Sequence, residues 1–186
     1  RGGELVSKSG IQGSDGYAWW TLEVNASQST LDAGATIVDS LSLNQNYVPG
    51  SLSIVPASVD RNGRMTASGP PLTETTDYTV NVTETSSSKQ VTIAFVNAID
   101  QAYIATFKCT IYAEEGGGNT QSVTNQASFS GSKDGPRTDG SNGQINIDVN
   151  KGGGTISGTL KNAVIKKVNK DRQGLQGGVF QLYDSN

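Results

Sequence analysis

Apolar and polar residues alternate along short stretches of this chain, with glycine, asparagine and proline between them. In TIVDSLSL every second position from Ile37 to Leu43 lies on one face. SVTNQASF repeats the pattern from Val123 to Phe129, and ATFKCTIY from Ala105 to Ile111. Strand side chains alternate with period two, so each stretch predicts a strand with one buried face. Strands are predicted over 4–7, 18–24, 35–43, 51–55, 78–84, 90–96, 102–112, 122–129 and 144–149. Turns fall at 13–16, 49–50, 61–63, 69–71 and 116–119, with a long glycine-rich one over 131–143. No helical period persists for three turns, although 28–32 and 97–101 each have room for one. Regular short strands of this kind predict an all-β chain folded as a β-sandwich.

Three of these faces carry a polar residue where an apolar one is due. Lys8 follows Val6, Asp39 lies between Ile37 and Leu41, and Asn125 lies between Val123 and Ala127. A lysine, a carboxylate and a carboxamide are costly to bury singly and must satisfy one another. They are also the reagents for an amide crosslink between side chains. The plainer alternative has Lys8 solvated, Asp39 capping a turn and Asn125 bonded to backbone. Asn119 is a competing electrophile, but it sits in a glycine-rich turn.

Composition narrows the choice. The chain has 186 residues, enough for one sizeable domain or a domain and a fragment. It has no histidine, so Ser/His/Asp and Cys/His catalysis are excluded. Cys109 is the only cysteine, which rules out an internal disulfide and a cysteine-based zinc site; its neighbours make it a buried apolar residue. A net charge of −3 carries no basic footprint for nucleic acid. No stretch is long and apolar enough to insert in a membrane. The aspartates Asp134 and Asp139 lack calcium-loop spacing, so neither a metal nor another cofactor is expected. Asn25 and Asn81 open glycosylation sequons. Trp19 and Trp20 point to opposite faces, one into the core and one towards a ligand or a neighbouring domain.

The order of motifs resembles the collagen-adhesin type of Gram-positive surface domain. That pattern is a Trp-Thr-hydrophobic-x-Val-Asn strand, a strand ending in Asp-x-Leu, and a Tyr-Val-x-x-Ser-Leu strand. Here they are Trp20 to Asn25, Ile37 to Leu41, and Tyr47 to Leu52. QAYIATFKCTIY and SVTNQASF match the later tyrosine-containing and Asn-x-Ala strands, and VSKSG resembles the family's lysine entry. The resemblance implies an immunoglobulin-like sandwich over residues 1–158. It also implies a Lys–Asn isopeptide bond, with Lys8 as nucleophile, Asn125 as electrophile and Asp39 as proton shuttle. Trp20 or Phe129 would wall the site from water.

Composition shifts near Gly152. Residues 159–186 contain two further alternating strands, too few for a core of their own. The tail resembles the start of a transthyretin-like stalk module, in which Lys167 would be the bond-forming lysine. Asn169 replaces that module's usual aspartate, and its glutamate and terminal asparagine are missing. The chain as a whole therefore reads as a piece cut from a longer protein, a sandwich followed by a two-strand fragment of a second one.

The resemblance implies a non-enzymatic adhesin at the Gram-positive cell wall, whose partner is a host matrix protein such as collagen. Two alternatives remain: a pilin or shaft module that meets only other pilus subunits, and a secreted carbohydrate-binding module.

Overall fold

The alternation resolves into two antiparallel sheets. The computed structural model describes residues 6–113, 116, 118–132 and 136–148. The strands are β1 (Val6–Gln12), β2 (Ala18–Val24), β3 (Thr36–Leu41), β4 (Gln45–Tyr47), β5 (Ser53–Val59) and β6 (Met65–Ala67), followed by β7 (Tyr78–Glu84), β8 (Lys89–Phe95), β9 (Ala102–Ile111), β10 (Thr120–Ser132) and β11 (Pro136–Asp148). No helix occurs among the described residues. One sheet runs β1-β2-β9-β5-β6, with β4 also paired to β9; the other runs β11-β10-β3-β8-β7. Their inner faces share one core, an immunoglobulin-like sandwich as expected.

The expected faces are the buried ones. Trp20, Leu22, Ile37, Ile93, Phe107, Cys109, Ile111, Val123 and Phe129 are all fully enclosed. Each large side chain of this kind contributes about 1.5–3 kcal/mol of burial. Two sheets packed this way present alternate residues inward, so the reading frame of each strand decides what enters the core.

Several elements differ from the sequence reading. Residues 131–143 do not form one long turn: β10 runs to Ser132 and β11 starts at Pro136, and the two pair along their full length. β11 is an edge strand built mostly from Gly, Ser, Asn and Asp, which hides its pairing from any test based on apolar alternation. The three-residue strands β4 and β6 are too short to show a period. The stretches 28–32 and 97–101, each with room for a single helical turn, form none; Leu31 and Ile99 instead bridge the two segments with paired backbone bonds of 2.8 and 2.9 Å. β3 ends at Leu41, so Leu43 leaves the apolar face and is 44% exposed. The first strand runs on to Gln12 rather than stopping at Ser7, which places Lys8 inside it. The expected stalk fragment at 159–186, with Lys167, lies outside the described residues.

Candidate functional site

Lys8, Asp39 and Asn125 come from three strands in two sheets, and the sandwich brings them together. Lys8 is on β1, the edge of the first sheet, opposite Leu22 of β2. Asp39 is on β3, central in the second sheet, opposite Ala127 of β10 and Val91 of β8. Asn125 is on β10, opposite Leu41 of β3. Asp39 and Asn125 are thus diagonal neighbours on one inner face, a relation in which side chains meet.

The Lys8 amine donates to both Asp39 carboxylate oxygens at 3.0 Å. Both side chains are 0% exposed. The Asn125 carboxamide nitrogen donates to Asp39 Oδ2 at 3.2 Å, and its oxygen is buried without a hydrogen-bond partner. An unpartnered buried acceptor is costly. The Lys8 ammonium lies 5.8 Å from the centre of the Trp20 ring, so Trp20 forms the wall on that side. Phe129 lies two residues beyond Ala127, the partner of Asp39, and its ring packs on Phe95 at 6.4 Å.

Burial governs the electrostatics. It pushes the Lys8 pKa below its ordinary value, although Asp39 pulls it up. It raises Asp39 from 3.8 to about 6, although Lys8 pulls it down. Both shifts favour the neutral forms, a free amine and a carboxylic acid. One proton passed from Nζ to the carboxyl produces both. The site therefore holds an amine, a carboxyl and a carboxamide out of water, and no metal-binding cluster occurs among the described residues.

Two supporting residues were not visible in the sequence. Gln45 is fully buried and accepts from Trp20 Nε1 at 2.9 Å. Its own amide donates to the Thr124 carbonyl at 2.8 Å and to Ser42 Oγ at 3.1 Å. It fixes both the wall and the backbone just before Asn125. Gly143 of β11 pairs with Asn125. A Cβ there would lie 3.0 Å from the Trp20 ring and 3.2 Å from Lys8 Cδ, so the lysine stem fills the space of the missing side chain.

Other candidates dissolve on inspection. Cys109 is buried, and desolvation raises its thiol pKa well above the ordinary range. Asn25 is fully buried at a left-handed φ of 58°, and its amide donates to the Ser29 and Gln101 carbonyls, so this sequon is sealed. Trp19 is the partly exposed tryptophan. It donates to the Asp15 carboxylate at 3.0 Å, and the Lys108 amine lies 5.3 Å from its ring. Asn119 lies in its turn, exposed.

These features define an immunoglobulin-like sandwich domain of the collagen-adhesin type, with a closed polar cluster bridging its two sheets. The family model described as the collagen binding domain matches residues 3–139, and the chain belongs to that family. Among solved structures, the chain is similar to the collagen-binding subdomain of the Enterococcus faecalis surface protein ACE, at 14% identity and a TM-score of 0.54, covering 79% of this chain and 99% of that one. The collagen-binding domain of a Staphylococcus aureus adhesin aligns at 13% identity and 0.51, covering 80% and 99%. A longer ACE structure, described as binding its ligands by a collagen hug, aligns at 15% identity and 0.55; 78% of this chain matches 51% of it. At these identities the likeness is one of fold. Comparison with the curated proteins finds no match.

Proposed function

We propose that this domain is a collagen-binding adhesin module of a Gram-positive cell surface, made rigid by an isopeptide bond between Lys8 and Asn125. The carrying observation is the enclosed contact of amine, carboxyl and carboxamide around Asp39. In the proposed reaction the neutral Lys8 amine attacks Asn125 Cγ. Protonated Asp39 faces the carboxamide and polarises its oxygen once the amide turns that oxygen towards Oδ2. Asp39 then relays the amine proton to Nδ2, and ammonia leaves. Proximity supplied by the fold replaces turnover, so the chain modifies itself once and is not an enzyme.

The bond would join the edge strand of one sheet to the second sheet, and tension entering at β1 would pass directly to β10. For the ligand, membership of the collagen-binding family supports collagen. The polar outer face of β3, β10 and β11 offers a groove of about 570 Å³ lined by Ser40, Ser42, Thr124, Gln126 and Gln144. Hydroxyls and carboxamides on a strand face suit the solvated backbone of a collagen triple helix. We also propose that residues 159–186 open a stalk module carrying Lys167, and that the longer protein is anchored in the cell wall.

Intact mass tests the bond. The pure protein is expected to lack one ammonia for this pair, and Lys8→Ala or Asn125→Ala to restore it. A tryptic digest of the wild type with Asn125 in an unjoined peptide would sink the crosslink. Binding to triple-helical collagen but not to heat-denatured chains tests the ligand; equal binding to neither would return the domain to a purely structural shaft.

A further inference from the structure

A second lysine meets a carboxamide, with a carboxyl on the neighbouring strand, at a different corner of the sandwich. Lys89 opens β8, and it lies directly opposite Glu84, the last residue of β7. It shares a strand face with Val91, Ile93 and Phe95, all buried, so its stem enters the sandwich from the end of that row. Its amine donates to the Asn46 carboxamide oxygen across the gap between the sheets. Asn46 belongs to β4, the short strand paired with β9 in the other sheet.

The remaining contacts fix the carboxamide. Asn46 Nδ2 donates to the Tyr112 hydroxyl at 3.3 Å, so both of its polar side-chain atoms are hydrogen-bonded. The Glu84 carboxylate accepts the backbone N–H of Tyr47, the next residue, at 2.9 Å. Glu84 is exposed as a residue, but this bond draws its carboxyl onto β4 beside Asn46. Desolvation there raises its pKa, against the opposing pull of Lys89.

The geometry points to a second self-made isopeptide bond, from Lys89 Nζ to Asn46 Cγ, with Glu84 as the group placed to relay the proton. The neutral amine attacks Cγ and forms the N–C bond. The Cγ–Nδ2 bond breaks, the amine's proton passes through Glu84 to Nδ2, and ammonia departs. No oxidant, metal or water is consumed. The product would join β8 to β4 and so tie the two sheets a second time, far along the chain from the Lys8 site. The site is separate from the one proposed above and does not need that bond to form.

Trypsin distinguishes the two arms, because it does not cleave after an acylated lysine. In the denatured full-length chain, a formed bond is expected to yield one species joining the peptide that ends at Arg61 to a peptide spanning residues 65–108 uncut at Lys89. The intact wild-type mass would lack a second ammonia, which Lys89→Arg and Asn46→Ala each restore while the Lys8 deficit persists. Glu84→Gln is expected to slow the appearance of the joined species at least tenfold in freshly folded protein. Recovery of separate peptides 65–89 and 90–108 from the wild type would overturn the proposal, whether or not Lys8 and Asn125 are joined.

Discussion

The two lysine clusters hold the same functional groups in different surroundings. Around Lys8 and Asp39 both charged side chains are 0% exposed, and the carboxyl belongs to a central strand. Around Lys89 the carboxyl belongs to an edge strand and to an exposed residue. Solvent makes the difference. An enclosed pair loses hydration and drifts towards neutral forms; at the corner desolvation raises Glu84 as well, against the pull of Lys89. In the first cluster both partners are sealed inside the sandwich, whereas in the second the carboxyl is desolvated although the residue that carries it is exposed. Exposed pairs contribute about 0–1 kcal/mol, so any large effect at the corner would have to come from a covalent link.

The largest expected effect breaks the link at the enclosed cluster. Asn125→Ala keeps the Lys8–Asp39 pair but removes the electrophile. A crosslink closing so long a loop stabilises by about 4–5 kcal/mol on chain entropy. The melting temperature should fall by about 10–20 °C, as read by calorimetry; a fall under about 3 °C would count against a formed bond. Next comes the charge itself. With Asn125→Ala as background, Lys8→Ala strands a buried carboxylate and should cost about 3–5 kcal/mol more. The double change Lys8→Met with Asp39→Leu should cost far less than either single loss. The matching Lys89→Met with Glu84→Leu, on an Asn46→Ala background, should stay within about 1 kcal/mol in urea melts.

Protonation sharpens the contrast further. Burial raises the Asp39 pKa from 3.8 to about 6 in the unjoined chain, and Asn125→Ala is expected to keep it raised. Between those values the native state holds a proton that the unfolded chain releases. Stability therefore falls as pH rises from about 4 to about 6. The lowered Lys8 pKa acts in the opposite sense at alkaline pH, where stability rises until the unfolded lysine has also lost its proton. Melts across this range should show the acid-side slope, and Asp39→Leu should flatten it. A smaller effect than breaking the enclosed pair is Gly143→Ala, where the added methyl presses on Lys8 and Trp20 and should cost about 1–3 kcal/mol. It should also slow ammonia loss measured by mass during refolding.

The faces of β3 and β10 were legible because each places one polar residue in an otherwise apolar row. That anomaly is visible without partners. The same signal was present at Lys89, which continues the row of Val91, Ile93 and Phe95, but a strand begun one residue later at Gln90 conceals it. Gln45 and Asn46 lie in a strand of three residues, too short for any period to register. Gly143 was hidden for a different reason: its role is the space it leaves, and that space exists only once β11 lies beside the lysine. The composition of β11 describes a loop, and its pairing with β10 makes it a strand.

The strand order also sets a clock. β1 can pair with β2 as soon as both exist, since they are neighbours in sequence. The carboxamide lies on β10, and the glycine that makes room for the lysine stem lies on β11, so the enclosed cluster assembles only after nearly all of the sandwich has been made. Such distant contacts are slow to form. A chain that is incomplete, or still unfolded, carries the nucleophile without its electrophile and remains an ordinary flexible polymer. For the proposed bond, irreversibility would thereby be postponed until the last strands arrive, and the one-way step would fall at the end of folding.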